Sequence, residues 1–313
     1  MRPHLPDTLP DRIRRVLALT VSENVQLCDE HYRLRLAAAD RVCAQPGQFI
    51  QLCCKRLSGY DHEGSVLLPR PFSIGGLRVL DGRTEMDVIY RVVGPGTTWM
   101  TGLRTGERIR ALGPLGNGFG LPEDRTTVYV VGGGVGLPPI VWLAEHLRTA
   151  GHEVVAFYGA RTARLMALTV EGTPPTDPTA SSMAAQEFSR LGAATVLTTD
   201  DGSLGVRGLV SSAMMAYHAA HPCPTDGLMV YTCGPEPMMA AVAGWCLEQN
   251  VRCQVCMERM MACGVGTCQS CVVPVRDDRA PPGHVYRLCC TDGPVFDARD
   301  IMWETPAFRG EVS

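Results

Sequence analysis

Residues 127–161 read TVYVVGGGVGLPPIVWLAEHLRTAGHEVVAFYGAR. An apolar run ends in three glycines, an amphipathic helical stretch follows, and a second apolar run closes the segment. Strand, glycine turn, helix and strand in that order make a βαβ unit, whose strands lie parallel in a sheet covered on both faces. Gly133, Gly134 and Gly136 remove side chains where a dinucleotide would approach the backbone, and the following helix presents its positive end there. The spacing is not G-x-G-x-x-G, so a tight strand-to-helix turn is the plainer alternative. Pro138 and Pro139 suit the first turn of a helix.

Working outward, apolar runs at 194–201 (ATVLTTDD) and 227–235 (GLMVYTCGP) continue the pattern. Helical stretches lie at 210–221 and 236–250 between and after them. Cys233 and Gly234 at the end of the last strand are candidates for the nicotinamide site, with Glu236 nearby; a small buried cysteine at a strand end is the simpler reading of Cys233. Residues 169–186 are rich in Thr, Pro, Ser and Ala and lack core periodicity, so a mobile surface insertion is expected there.

Upstream, from Arg12 to about Leu121, short β-prone runs alternate with Gly and Pro turns, as a small antiparallel barrel or sandwich requires. RPFSIGG (70–76) places Arg70, a fork donor for phosphate, next to Pro71, the ring of Phe72 and the hydroxyl of Ser73. YRVVGPGTTWM (90–100) puts Gly94, Gly96 and Thr97 just after a strand, where N–H groups and a hydroxyl can receive a pyrophosphate. A plain strand and a plain Pro-Gly turn are the competing readings.

Downstream, CMERMMACGVGTCQSC (256–271) carries Cys263, Cys268 and Cys271 as C-x4-C-x2-C, the plant-type [2Fe–2S] spacing. Gly264 and Gly266 let the loop wrap a cluster and aim N–H groups at sulfur. Zinc prefers paired shorter knuckles. A fourth thiolate is needed, and both Cys289 and Cys290 stand downstream.

The chain has 313 residues, 45% hydrophobic and 19% charged, with a net charge of -3. That supports two or three globular domains and argues against a nucleic-acid partner or an anionic membrane surface. The opening residues show no apolar signal core, and no apolar run reaches the roughly 20 residues of a membrane span, so a cytoplasmic protein is expected. Fourteen cysteines in that compartment call for something other than disulfides.

These motifs, with GPLGNGF (113–119), TTDDGSLGVRG (198–208), ERMMACGVGTCQSC (258–271) and CTDGPVF (290–296), resemble the electron-transfer subunits of class 1B, NAD-dependent dihydroorotate dehydrogenases, within the ferredoxin reductase-like superfamily. The resemblance spans about residues 12–300. It implies a multi-domain β plus α/β protein: an FAD-binding antiparallel β-barrel at 11–123, an NAD-binding α/β domain at 124–248, and a [2Fe–2S] domain with a tail at 249–313. It assigns Arg70, Pro71, Phe72, Ser73, Gly94, Gly96 and Thr97 to FAD, and Gly133, Gly134, Gly136, Cys233 and Gly234 to the nicotinamide side. In the family the fourth cluster ligand precedes Gly-Pro-Val-Phe by two residues, which implies Cys290 beside Cys263, Cys268 and Cys271.

The implied function is an electron-transport flavoprotein of pyrimidine biosynthesis. It is an oxidoreductase subunit carrying electrons from a dihydroorotate-oxidising FMN subunit through [2Fe–2S] and FAD to NAD+, in a heterotetramer. The alternative is the same module in another complex, of ferredoxin:NADP oxidoreductase, hydrogenase or sulfide dehydrogenase type. Because the cofactors carry the chemistry, no catalytic triad is expected. NAD against NADP stays open: Arg161 and Arg164 suit a 2′-phosphate, while Asp200 and Asp201 oppose it.

Overall fold

The structure, a computed structural model, describes residues 15–56, 66–80 and 82–303. The Pro-rich lead-in at 1–10 and the tail beyond 303 lie outside the described residues.

The first sheet is antiparallel throughout. It comprises β1 (Arg15–Cys28), β2 (His31–Ala38), β3 (Phe49–Arg56), β4 (Arg70–Ser73), β5 (Gly76–Leu80), β6 (Arg83–Arg91) and, after helix α1 (Pro95–Thr101), β7 (Arg108–Leu115). The strand order is β4-β3-β7-β1-β2-β6-β5. Its two edge strands, β4 and β5, are separated by only Ile74 and Gly75. Ile74 N–H donates to Gln48 on the β3 side, and Gly75 N–H donates to Asp87 on β6. One bent segment therefore links both edge strands and curls the sheet toward a barrel. Along β6, Thr84, Met86, Val88 and Tyr90 alternate inward, the period-2 pattern of a strand with one buried face. Met86, Val88 and Tyr90 join Leu34, Leu36, Ile50 and Leu52 in the barrel core.

The second sheet contains β8 (Thr127–Gly133), β9 (Glu153–Ala160), β10 (Ala194–Thr199), β11 (Val206–Arg207), β12 (Leu228–Cys233) and β13 (Arg252–Cys256). These run parallel in the order β11-β10-β9-β8-β12-β13. Helices α2 (Leu137–Thr149), α3 (Gln186–Ser189), α4 (Val210–Ala220) and α5 (Glu236–Glu248) cover it. Covered on both sides, β12 is buried at all its positions, as its continuous apolar run requires. Residues 169–186 are fastened to this unit. Val170 bridges Ala185, Ser182 bridges Thr195 on β10, and Ala185 is fully buried. The polar composition that suggested a loose insertion instead belongs to a surface loop with both ends held.

The last part of the chain forms the hairpin β14 (Val272–Arg276) and β15 (His284–Leu288) and then β16 (Val295–Asp297). β16 adds antiparallel to β13 at the edge of the second sheet, pairing Cys256 with Val295. The boundary expected at 248/249 is thus crossed, because both β13 and β16 belong to the second sheet. The short run RCQVC lies next to the cysteine segment in sequence and pairs with β12 in space.

Asn117 joins the barrel to this C-terminal segment. Its backbone N–H donates to Gly293, its Nδ2 donates to the carbonyls of Asp292 (3.2 Å) and Val295 (2.9 Å), and its Oδ1 accepts from Val295 N–H (2.9 Å). A second tie follows at Gly120. Gln254 on β13 accepts from its N–H and donates to its carbonyl, and the Tyr231 hydroxyl donates to the same carbonyl at 2.7 Å. Replacing Asn117 by Ala removes three side-chain hydrogen bonds and should cost about 3 kcal/mol. A circular-dichroism melt of the full chain is expected to show a lowered Tm; an unchanged Tm would mean that the clamp holds nothing.

Candidate functional site: one crevice and a thiol loop

Four sequence segments meet along one crevice. Arg70 lies on β4, and a Cβ placed on Gly96 would stand 3.4 Å from its Cγ and Nε. The Arg70 guanidinium and the Gly94–Thr97 turn are therefore neighbours, as a shared diphosphate would require. Arg70 Nη1 donates to the carbonyl of Leu68, which orients the fork. The Thr97 hydroxyl accepts from the N–H groups of Val93 (2.9 Å) and Gly94 (3.2 Å). Its visible work is thus to shape the turn. Pro71 pairs with Gln51 and Ser73 with Phe49 on β3. The half-exposed Phe72 ring packs edge-on against Tyr90, 6.2 Å between centroids.

Past Ser73, a Cβ on Gly75 would come within 3.0 Å of Pro138 at the start of α2, so the flavin strand abuts the glycine loop of the second sheet. In that loop Gly136 has an ordinary negative φ, but a Cβ there would strike the Cys233 carbonyl; close approach of two chains demands glycine at this position. A Cβ on Gly133 would meet Met238 Sδ at 2.7 Å. Gly134 is the open member, its carbonyl fixed by the Tyr158 hydroxyl at 2.7 Å. Cys233 is wholly buried and its thiol hydrogen-bonds with Cys256 across the β12–β13 pair, which together with burial holds it well above the ordinary thiol range. Its side chain therefore packs inside the sheet, and its backbone with Gly234 borders the crevice.

Glu236, in the first turn of α5, forms an ion pair with Arg259, whose Nε also donates to the Val272 carbonyl at 3.1 Å. Arg259 thereby ties the nicotinamide side to the segment entering the thiol loop. Glu258 beside it is exposed to solvent.

The thiol loop gathers the four predicted cysteines in two pairs. Cys263 accepts the N–H groups of Val265 and Cys268, both at 3.4 Å, and its thiol hydrogen-bonds with that of Cys268. Cys268 is exposed. Hydrogen bonds from Ser270 first, and from Cys263 second, lower its thiol to about 6. Cys290 is pushed up to about 12, by burial first and then by its hydrogen bond with Cys271, against an opposing hydrogen bond from the Gly266 backbone. Cys289 turns the other way, its Sγ donating to the Met257 carbonyl at 3.3 Å.

Among the described residues no three His, Cys, Asp or Glu side chains converge on one metal point. Two thiol pairs with backbone N–H groups aimed at sulfur suit two bridged irons better than a single zinc ion. Gly264, at φ +71°, is required twice: by its left-handed backbone and by Gln51, whose Cγ would lie 2.6 Å from an added Cβ. Gln51, and Asn117 and Arg259 within the motifs at 113–119 and 258–271, carry no local signal of these contacts, because their partners are distant in sequence.

Fold and crevice together define an oxidoreductase of the ferredoxin reductase type, with a flavin barrel, a nicotinamide sheet and an iron–sulfur loop. Comparison with known proteins agrees. Residues 258–302 match the family model "Iron-sulfur cluster binding domain of dihydroorotate dehydrogenase B", and residues 130–244 match "Oxidoreductase NAD-binding domain". The chain is 33% identical to the dihydroorotate dehydrogenase B (NAD(+)) electron transfer subunit of Desulforamulus reducens, over 83% of this chain and 88% of the relative. It is 31% identical to the subunit of the same name from Caldanaerobacter subterraneus, over 82% and 87%. Among solved structures, an NADH-dependent reduced ferredoxin-NADP oxidoreductase superposes with a TM-score of 0.72 at 25% identity, covering 91% of this chain and 90% of that one. The chain belongs to the family of dihydroorotate dehydrogenase B electron transfer subunits.

Two substitutions separate the neighbouring thiols. Cys290→Ser should lose most of the cluster iron and Cys289→Ser should keep it, measured as iron per chain and visible absorbance; the reverse pattern would move the ligand to Cys289. Arg70→Ala should weaken flavin retention about tenfold or more. Gel filtration and flavin absorbance test this, and full retention would remove the phosphate role.

Proposed function

We propose that this chain is the electron-transfer subunit of a dihydroorotate-oxidising complex in pyrimidine biosynthesis. It takes electrons from an FMN-containing catalytic subunit and delivers them to NAD+ in the cytoplasm, in a heterotetramer of two subunits of each kind. The observation that carries the reading is the continuity of the sites. Strand β3 meets the thiol loop through Gln51 and Gly264, β4 lies beside it, and Gly75 just after β4 meets Pro138 at the nicotinamide loop. FAD, when bound, supplies the exchange between the single electrons of the cluster and the hydride pair of the nicotinamide.

The chain's own residues hold these partners in place. Arg70 and the backbone of the Gly94–Thr97 turn bind the flavin diphosphate, with Pro71, Phe72 and Ser73 lining the strand beside the ring. Gly134, the open member of its loop, would let the nicotinamide cofactor lie against the backbone; Gly133 and Gly136 seat that loop against Met238 and Cys233, and Cys233 and Gly234 close that side. Cys263, Cys268, Cys271 and Cys290 would hold the iron–sulfur cluster. Cys268 is exposed and easily deprotonated, so a bound cluster would be reachable there by a partner subunit. Among the described residues, no helix is long and apolar enough to cross a membrane.

NAD rather than NADP fits the ribose end. Arg164, one of the two arginines available for a 2′-phosphate, is paired with Asp29 at 2.8 Å. Asp201 is held by Ser203 and kept below the ordinary carboxylate range, so a negative charge stays nearby.

The test uses the chain purified with the subunit it binds in its host. Adding dihydroorotate without oxygen should bleach flavin and cluster absorbance, and NAD+ should restore it with formation of NADH. Bleaching by NADH but not by dihydroorotate would move the chain to a different redox complex, such as the ferredoxin-NADP oxidoreductase type.

A further inference from the structure

Gln51 has so far served only as a packing contact, where the barrel meets the thiol loop. Ile50, Leu52 and Cys54 on β3 face the barrel core, and the alternate residues face the other way. Phe49, on that second face, belongs to the core that also holds Cys271, Cys289 and Cys290. Gln51 follows it on the same face. It lies opposite Pro71 of the flavin strand, with its Nε2 2.8 Å from where a Cβ of Gly264 would sit. Only 1% of the residue is exposed, and neither Nε2 nor Oε1 has a hydrogen-bond partner. A buried carboxamide without partners is costly, and an apolar side chain of the same size would fill the space more cheaply. An amide retained there points to a group that needs it.

We propose that Gln51 sets the potential of the iron–sulfur cluster by donating an Nε2 hydrogen bond to the sulfur at Cys263. The neighbouring residue, Gly264, is the one whose missing side chain admits the carboxamide. Cys263 already accepts two backbone N–H groups from its own loop, so its sulfur is the acceptor that this loop is folded to address. A thiolate or sulfide only accepts, and this selects the NH2 end of the amide whichever way the group is drawn. Hydrogen bonds to cluster sulfur favour the reduced, more negative state and raise the potential. The barrel strand that pairs with the flavin motif would thus also adjust how readily electrons rest on the cluster before they reach the flavin. This inference rests on the [2Fe–2S] reading of the thiol loop.

The test compares the wild-type complex with Gln51→Leu and Gln51→Met, two apolar residues of similar volume. Iron, flavin and the midpoint potentials of both centres are measured by redox titration, with EPR for the cluster. The expected result is full iron and flavin in both variants, a cluster midpoint shifted to more negative potential, and an unmoved FAD midpoint. An unmoved cluster midpoint with full iron overturns the proposal. So does a shift confined to FAD, which would give the amide to the flavin. Equal loss of iron from both variants also overturns it, because Gln51 would then serve only to pack the loop. A wild-type complex with no iron and no reduced-cluster EPR signal would instead remove the iron–sulfur reading itself.

Discussion

The carboxamide of Asn117 holds the molecule's two halves in register. It reads the backbone of residues 292–295 much as a neighbouring strand would, accepting one N–H and donating to two carbonyls. Those residues lead from Cys290 into β16, so one side chain positions the Cys290 segment relative to the barrel. Glycines make the approach possible. An added Cβ on Gly47 would come within 2.8 Å of Val295, and one on Gly116 would strike Pro294. Electron transfer between separately bound cofactors requires fixed separation, and here the fixing is done by hydrogen bonds between backbone segments that cannot slide without breaking several at once.

The fourteen thiols divide by surroundings rather than by sequence spacing. Cys233 with Cys256, and Cys246 with Cys253, are buried hydrogen-bonded pairs; in them the Cys233 and Cys253 thiols are held well above the ordinary thiol range, and such thiols are poor nucleophiles and poor ligands. Cys268 lies at the other extreme, exposed and lowered to about 6 by its hydrogen bonds. Cys289 and Cys290 are adjacent and both buried, yet one points to the Met257 carbonyl and the other to Cys271. A strand ends at Leu288, and the turn that follows sends successive side chains to different sides of the backbone.

Much of this was legible in the sequence where the signal is local. The alternation along β6, the apolar runs of β8 and β12 and the C-x4-C-x2-C spacing each fit within a few residues, and the structure places strands and paired thiols there. What escaped depends on distant partners. Asn117 meets Val295 across 178 residues. Gln51 and Arg259 likewise look ordinary until the fold brings Gly264 and Glu236 to them. Strand β13 was hidden by its neighbours, because five residues containing two cysteines resemble the metal-binding segment that follows more than an interior strand. The held loop at 169–186 was read as loose because composition reports solvation and not the two bridges at its ends.

The addition of β16 to the edge of the second sheet bears on the order in which the protein can be made. During synthesis the barrel and the six parallel strands can form from residues already outside the ribosome, since domains tend to fold as units from the N-terminus. The thiol loop cannot. Cys263, Cys268 and Cys271 emerge well before Cys290, and the segment that fastens Cys290 pairs with β13 only after Val295 is available. The gathering of these four cysteines and the pairing of β16 are therefore late events in the life of each chain. Until they occur, β13 is an uncovered sheet edge beside a set of reactive thiols, the state most exposed to oxidation and to mispairing with another chain.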